Sequence, residues 1–202
     1  ATTTNSYGNA GQWVSVTTPS GGFTANTYDG AGQLVKTTRR TGGVTVMSYD
    51  PDGREASITD PDGNTTAFAY NSLGQQTTTT RADDTATTNS FDLAGDLLSY
   101  TDAGGDVTKY SYDAGGRRTS SADPDGRTTL YGYDPAGNQT TTTAPDGVVT
   151  TSSYDADDEL TSISYSDGTM PSAQYTYDAA GRRLTMTDET GTTRYSYDGA
   201  GR

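Results

Sequence analysis

A period of 21 residues constrains this chain more than any other feature. An aromatic residue recurs at Tyr7, Tyr28, Tyr49, Tyr70, Phe91, Tyr112, Tyr133, Tyr154, Tyr177 and Tyr197. Seven consecutive spacings are 21 residues, followed by one of 23 and one of 20. A repeat of this length marks a stacked, quasi-one-dimensional architecture in which each unit packs only on its neighbours.

Two glycine positions keep step with the aromatic. Four residues after it stand Gly11, Gly32, Gly53, Gly74, Gly95, Gly116, Gly137, Gly181 and Gly201, with Asp158 replacing glycine once. Fourteen residues after it stand Gly21, Gly42, Gly63, Gly105, Gly126, Gly147, Gly168 and Gly191, with Asp84 as the exception. Aspartate is among the few side chains that tolerate positive φ, so Asp84 and Asp158 are expected to be left-handed turn residues. Pro19, Pro61, Pro124 and Pro145 fall at one turn, Pro51 and Pro135 at the other, and Pro171 in the lengthened repeat. Proline pre-sets φ for a turn and cannot donate to a sheet ladder.

Two turns per repeat leave two segments of about six or seven residues, such as "VVTTSSY" and "LTSISY", rich in β-forming residues. Each repeat therefore reads as one β-hairpin. No stretch offers helical periodicity. The expected fold is all-β: tandem 21-residue hairpins in a single-layer spiralling sheet, a section of a hollow shell or tube. Residues 1–202 are expected to form one continuous array of about nine repeats, a section of a longer polypeptide. Composition agrees with a single layer. Hydrophobic residues make up 30% of the chain, with forty threonines and 25 glycines, against about 45–50% apolar in ordinary globular chains.

The residues expected to carry the repeat are Tyr28, Asp29 and Gly32; Tyr49, Asp50, Gly53 and Gly63; Tyr112, Asp113, Gly116 and Gly126; Tyr133, Asp134, Gly137 and Gly147; and Tyr177, Asp178 and Gly181. Large residues also stand two before the aromatic, at Met47, Phe68, Tyr110, Tyr131, Tyr175 and Tyr195. Spacing by two puts each pair on one sheet face, where rings of consecutive hairpins would stack as a ladder. The aspartate after the tyrosine is placed to accept backbone N–H bonds across its own turn. Arg54, Arg117, Arg182 and Arg202 follow the glycine and would make exposed ion pairs of small worth.

Sharper chemistry finds little support. The chain has no cysteine and no histidine, which excludes disulfides, thiolate metal sites and the usual histidine-based catalytic arrangements. Net charge is −13, and nucleic-acid binding needs clustered Lys and Arg to neutralise phosphates. No apolar run reaches the ~18 residues of a membrane span. The "DPDG" turns at 60 and 123 miss the spacing of a calcium loop. Paired carboxylates such as Asp60/Asp62 and Asp123/Asp125 recur at turns, whereas an active site rarely needs copies. No catalytic residue, metal site or cofactor is expected. The strict phase of Tyr, Pro and Gly argues against disorder despite the low hydrophobicity.

The recurring "YDxxGR" with "PDG" about a dozen residues on, as in "YDPDGREASITDPDG" and "YDAGGRRTSSADPDG", resembles the YD-repeat or Rhs-repeat family over essentially the whole chain. Relatives of that family include Rhs polymorphic toxins, the B and C components of insecticidal toxin complexes, and teneurins. The resemblance implies a long ribbon of hairpins spiralling into a hollow shell, which in the toxin members encloses a C-terminal toxic domain. Those members carry a self-cleaving segment after the repeats, and no residue here is assigned to it.

The expected function is a structural scaffold, the shell or tube wall of a large secreted or surface protein, either an encapsulating toxin shell or an extracellular fibre. Its partners would be neighbouring repeats, further copies end to end, or an enclosed toxin domain. The alternative from a different class is a carbohydrate-binding adhesive module, with exposed tyrosines as platforms for surface glycans.

Overall fold

The computed structural model describes residues 3–8, 10–18, 22–168 and 170–202, so the expectations for Pro19 and Gly21 lie outside the described residues. The chain divides into two units, Ala1–Phe91 with Ser99–Asp106, and Asp92–Leu98 with Val107–Arg202. Among the described residues there is no helix.

The first unit holds β1 (Thr4–Tyr7), β2 (Trp13–Thr17), β3 (Phe23–Tyr28), β4 (Leu34–Arg39), β5 (Val44–Tyr49), β6 (Glu55–Thr59), β7 (Thr65–Tyr70), β8 (Gln76–Thr80) and β9 (Ala86–Phe91). A short strand, β10 (Leu97–Thr101), is shared between the units. The second unit holds β11 (Val107–Tyr112), β12 (Arg118–Ala122), β13 (Thr128–Tyr133), β14 (Gln139–Thr143), β15 (Val149–Tyr154), β16 (Leu160–Tyr165), β17 (Ala173–Tyr177), β18 (Arg183–Asp188) and β19 (Gly191–Arg194). Within each unit every strand pairs antiparallel with the next in sequence. The strands run four to six residues, slightly shorter than the composition suggested.

Both turns of the repeat share one geometry. In the first, the Asp50 N–H donates to the Arg54 carbonyl at 2.8 Å and the Gly53 N–H to the Asp50 carbonyl at 2.9 Å. In the second, the Asp60 N–H donates to the Asn64 carbonyl and the Gly63 N–H to the Asp60 carbonyl. Each is a three-residue hairpin loop, a tight turn closed by a left-handed residue. The φ angles at Gly53 and Gly63 are 81° and 88°, and Asp84 and Asp158 sit at 63° and 61°. These are left-handed values that few residues other than glycine, asparagine and aspartate adopt cheaply.

A feature the period did not reveal is a β-bulge that recurs at the base of the first turn. Ser48 faces Ser57 and Tyr49 faces Glu55, which leaves Ala56 as an extra residue on the second strand. The same shift precedes Tyr28, Tyr70, Tyr112, Tyr133, Tyr154 and Tyr177. A bulge re-aims side chains locally and increases twist. Here it sets the residue that opens the second strand directly opposite the tyrosine.

No described residue is fully buried. The two sheet faces still differ. Along β7, Thr66, Phe68 and Tyr70 are half-buried, while Thr65, Ala67 and Ala69 are exposed. The tyrosine and the large residue two before it share the covered face, as spacing by two requires. Hydroxyl pairs cross the open face at Ser6/Ser15, Ser48/Ser57, Ser90/Ser99 and Thr176/Thr185, all at 2.6–2.7 Å.

Candidate functional site

The repeated motif assembles into a fastening between consecutive hairpins. At seven positions the tyrosine of the motif points its hydroxyl back across the preceding hairpin and donates to a main-chain carbonyl. Tyr28 reaches Trp13 at 2.8 Å, Tyr49 reaches Leu34 at 2.9 Å and Tyr70 reaches Glu55 at 2.9 Å. In the second unit Tyr133 reaches Arg118, Tyr154 reaches Gln139, Tyr177 reaches Leu160 and Tyr197 reaches Arg183, at 2.8–3.1 Å. The receiving carbonyl belongs each time to the residue that opens the preceding second strand. Burial pushes the phenols of Tyr49 and Tyr112 up, more than any neighbouring charge does.

Phe91 has no hydroxyl. The carbonyl that a tyrosine there would use, that of Gln76, instead accepts from Asn89 Nδ2 at 3.2 Å. Asn89 lies two residues before Phe91 on the same face, and Asn26 makes the equivalent contact to Trp13 beside Tyr28. This compensating pair is visible in the sequence only as a polar residue where neighbouring repeats carry a large one.

The aspartate closes its own turn. Asp50 Oδ1 accepts from the N–H groups of Asp52 and Arg54, both at 2.9 Å. Asp29, Asp113, Asp134 and Asp178 accept pairs of turn N–H groups in the same way. Partial burial pushes the Asp50 carboxyl up, but the N–H and guanidinium of Arg54 outweigh it and hold the carboxyl below its ordinary value. The Arg117 N–H and guanidinium lower Asp113, and the Arg182 guanidinium leads in lowering Asp178. At the second turn the Asn64 side chain does the same to Asp60. Gly32, Gly116, Gly126, Gly137, Gly147 and Gly181 all have positive φ, between 75° and 103°.

The arginine after the glycine departs most from the sequence-based expectation. Arg54 Nε donates to Asp50 Oδ2 at 2.7 Å, with the two side chains only 28% and 19% exposed. The same guanidinium lies 4.9 Å from the centre of the Tyr70 ring and donates to the Asn71 carbonyl, both in the following repeat. Arg117 repeats this on Asp113, the Asp134 carbonyl and the Tyr133 ring. Arg182 lies over Tyr197. At Arg54, Arg117 and Arg182 the expected exposed ion pair is thus a half-buried clip, because the guanidinium reaches the next repeat and stacks on an aromatic face. Arg202 makes the exposed pair expected, with Asp198. Where arginine is absent, amides take the position: Gln33 donates to the Gly53 carbonyl at 3.1 Å, and Asn138 to Asp158 at 2.6 Å.

The next residue supplies a second cation. Arg118 lies over the rings of Tyr110 and Tyr131, and Arg183 over Tyr175. Burial opposes the Arg183 charge, but hydrogen bonds with Tyr177 and Tyr195 outweigh it and hold its pKa above the ordinary value. Tyr110, Tyr131 and Tyr175, candidate platforms for sugars, therefore already carry a guanidinium over the ring. At Glu159 the position that arginine takes elsewhere holds a carboxylate. Burial, followed by the charges of Asp155, Asp157 and Asp178, pushes its pKa up.

No cluster of three or more His, Cys, Asp or Glu side chains that could hold a metal ion occurs among the described residues. No helix among them is long and apolar enough to cross a membrane.

The model of the family described as RHS Repeat matches residues 28–64, 49–86, 91–128, 116–149, 133–170, 154–193 and 177–202. No curated protein matches the chain. Among solved structures, a crystal structure of TcdB2–TccC3–Cdc42 superposes with a TM-score of 0.59 at 17% identity, over 96% of this chain and 13% of that one. A TcdB2–TccC3 crystal structure without the hypervariable C-terminal region gives 0.55 at 17% identity, over 94% and 13%. The Tc holotoxin pore of Photorhabdus luminescens gives 0.50 at 17% identity, over 96% and 13%. The chain therefore spans 13% of the length of the structures it resembles, and at 17% identity the likeness is one of fold.

Proposed function

The chain belongs to the RHS-repeat family, and from that premise we propose that it is a section of the wall of a large secreted or surface-located assembly, a β-sheet one layer thick that encloses a space. One observation carries this reading. No described residue is fully buried, yet hairpins are fastened to their neighbours by recurring hydroxyl, guanidinium or amide contacts. Stability then accumulates along the array rather than in a core, as in other repeat proteins. Residues 1–202 would act as one continuous array, with neighbouring repeats of the same polypeptide as the first partners. A toxin domain enclosed by the wall suits the likeness to Tc toxin components; continuation end to end would give a fibre.

The carbohydrate-binding alternative needs free ring faces, and Tyr110, Tyr131 and Tyr175 each have one face taken by a guanidinium group. Electron microscopy of the native protein tests the wall. Thin-walled particles or tubes are expected, and density inside them would identify a container. Compact solid particles, or a chain without regular structure, would overturn the reading.

A further inference from the structure

Two asparagines of the chain stand in the N-x-Ser/Thr arrangement that marks acceptors of N-linked sugars: Asn64-Thr65-Thr66 and Asn138-Gln139-Thr140. The fold treats them differently. We propose that Asn64 is an N-glycosylation site and that Asn138 is not. The inference rests on the secreted or surface location proposed above.

Asn64 closes the second turn of its repeat and is exposed, whereas Asn138 is half-buried in a first turn. A carboxamide nitrogen carries two hydrogens, and one is replaced when a sugar is attached. Asn138 uses both: Nδ2 donates to Asp134 Oδ2 at 3.2 Å and to Asp158 Oδ1, in the next repeat, at 2.6 Å. A sugar there would remove a contact within the turn or the one that joins two hairpins. Asn64 Nδ2 donates to Asp60 Oδ2 at 2.9 Å, and one remaining N–H is enough to keep that bond. Its main chain is held independently, through its N–H to Asp60 Oδ1 and its carbonyl from the Asp60 N–H.

There is also room for a sugar. An open groove of about 420 Å³ adjoins Asn64, lined by Thr66, Arg81, Ala82 and Asp83. Thr66, Arg81 and Asp83 offer hydrogen-bond donors and acceptors to a first sugar ring.

The donor is a polyprenyl-pyrophosphate-linked oligosaccharide. Asn64 Nδ2 attacks the anomeric carbon, forming the N–C bond while the bond from that carbon to the pyrophosphate oxygen breaks. One Nδ2 proton is lost, and polyprenyl pyrophosphate departs with the bonding electron pair. No oxidant or reductant is needed.

The test is glycopeptide mass spectrometry on the native protein purified from its source. Tryptic peptide 55–81 should carry a glycan. Enzymatic release in heavy-oxygen water should then leave a labelled aspartate at 64, while peptide 128–182 carries no such label at 138. The Asn64→Gln variant should lose the whole glycan mass from 55–81 and still assemble. An unmodified Asn64, or occupancy at Asn138 equal to it, would overturn the inference. Thin walls by microscopy with a bare Asn64 would leave the wall reading standing; a glycosylated Asn64 on compact solid particles would do the reverse.

Discussion

The Tyr49 hydroxyl donates to the main-chain carbonyl of Leu34, fifteen residues earlier, at 2.9 Å. Leu34 opens the second strand of the preceding hairpin, so this one bond ties neighbouring repeats without any apolar core. Tyr49→Phe should cost about 0.5–1.5 kcal/mol of unfolding free energy, the usual net worth of a hydrogen bond with a protected acceptor. Chemical denaturation checks it. The natural Phe91/Asn89 arrangement supplies the rescue: Met47→Asn in the Tyr49→Phe background should recover part of the loss by donating to the Leu34 carbonyl. If the double variant is less stable than either single change predicts, the amide does not substitute for the hydroxyl.

Arginines of the same formal type should differ in worth. Arg54 touches its own turn, the Asn71 carbonyl and the Tyr70 ring. Arg127 forms its ion pairs with Asp123 and Asp125 of its own turn and is 64% exposed. Arg54→Met should lower stability by roughly 1 kcal/mol, through loss of the cation–π contact and the carbonyl bond. Arg127→Met should produce a smaller shift in the denaturation midpoint. Equal shifts would mean that the contact to the next repeat adds nothing.

Acid should weaken the turns. Asp50, Asp60, Asp113 and Asp178 all have carboxyls held below their ordinary value in the folded protein. A depressed folded pKa contributes stability that is present above the unfolded pKa, about 3.9, and is lost as pH falls through the folded value. Stability measured against pH should therefore decline below about pH 4 as these groups protonate.

Glu159 should run the other way. Its folded pKa is raised, so its charge is a burden at neutral pH and is relieved as acid protonates it. Glu159→Gln should raise stability at pH 7, and the gain should shrink on approach to its titration range. Glu159→Arg should raise stability at pH 7 further, by restoring the clip to Asp155 that Arg54 and Arg117 make to Asp50 and Asp113. Denaturation of both variants across pH decides it.

Gly63→Ala isolates the backbone. A methyl group at Gly63 would meet no atom within 4 Å, yet φ there is 88°. A loss of about 1 kcal/mol is expected from conformation alone. Asp84→Gly should gain a fraction of that by the same reasoning, and an unchanged midpoint for both would mean that the turn relaxes freely.

The sequence by itself determined the period, the two turns, the left-handed positions including Asp84 and Asp158, and the all-β class. Each of these is local: a turn is specified by the few residues inside it, and alternation by two assigns a strand its faces. Tertiary structure alone decided how one hairpin holds the next. The bulged Ala56 that sets Glu55 opposite Tyr49, the Tyr49 bond to Leu34, the Arg54 clip over Tyr70 and the Asn89 substitution for Phe91 all depend on strands lying side by side in a fixed register. The same holds for Asn64 and Asn138. As sequence they are equivalent, and they separate only because the amide of Asn138 is drawn to a carboxylate twenty residues away in the neighbouring turn.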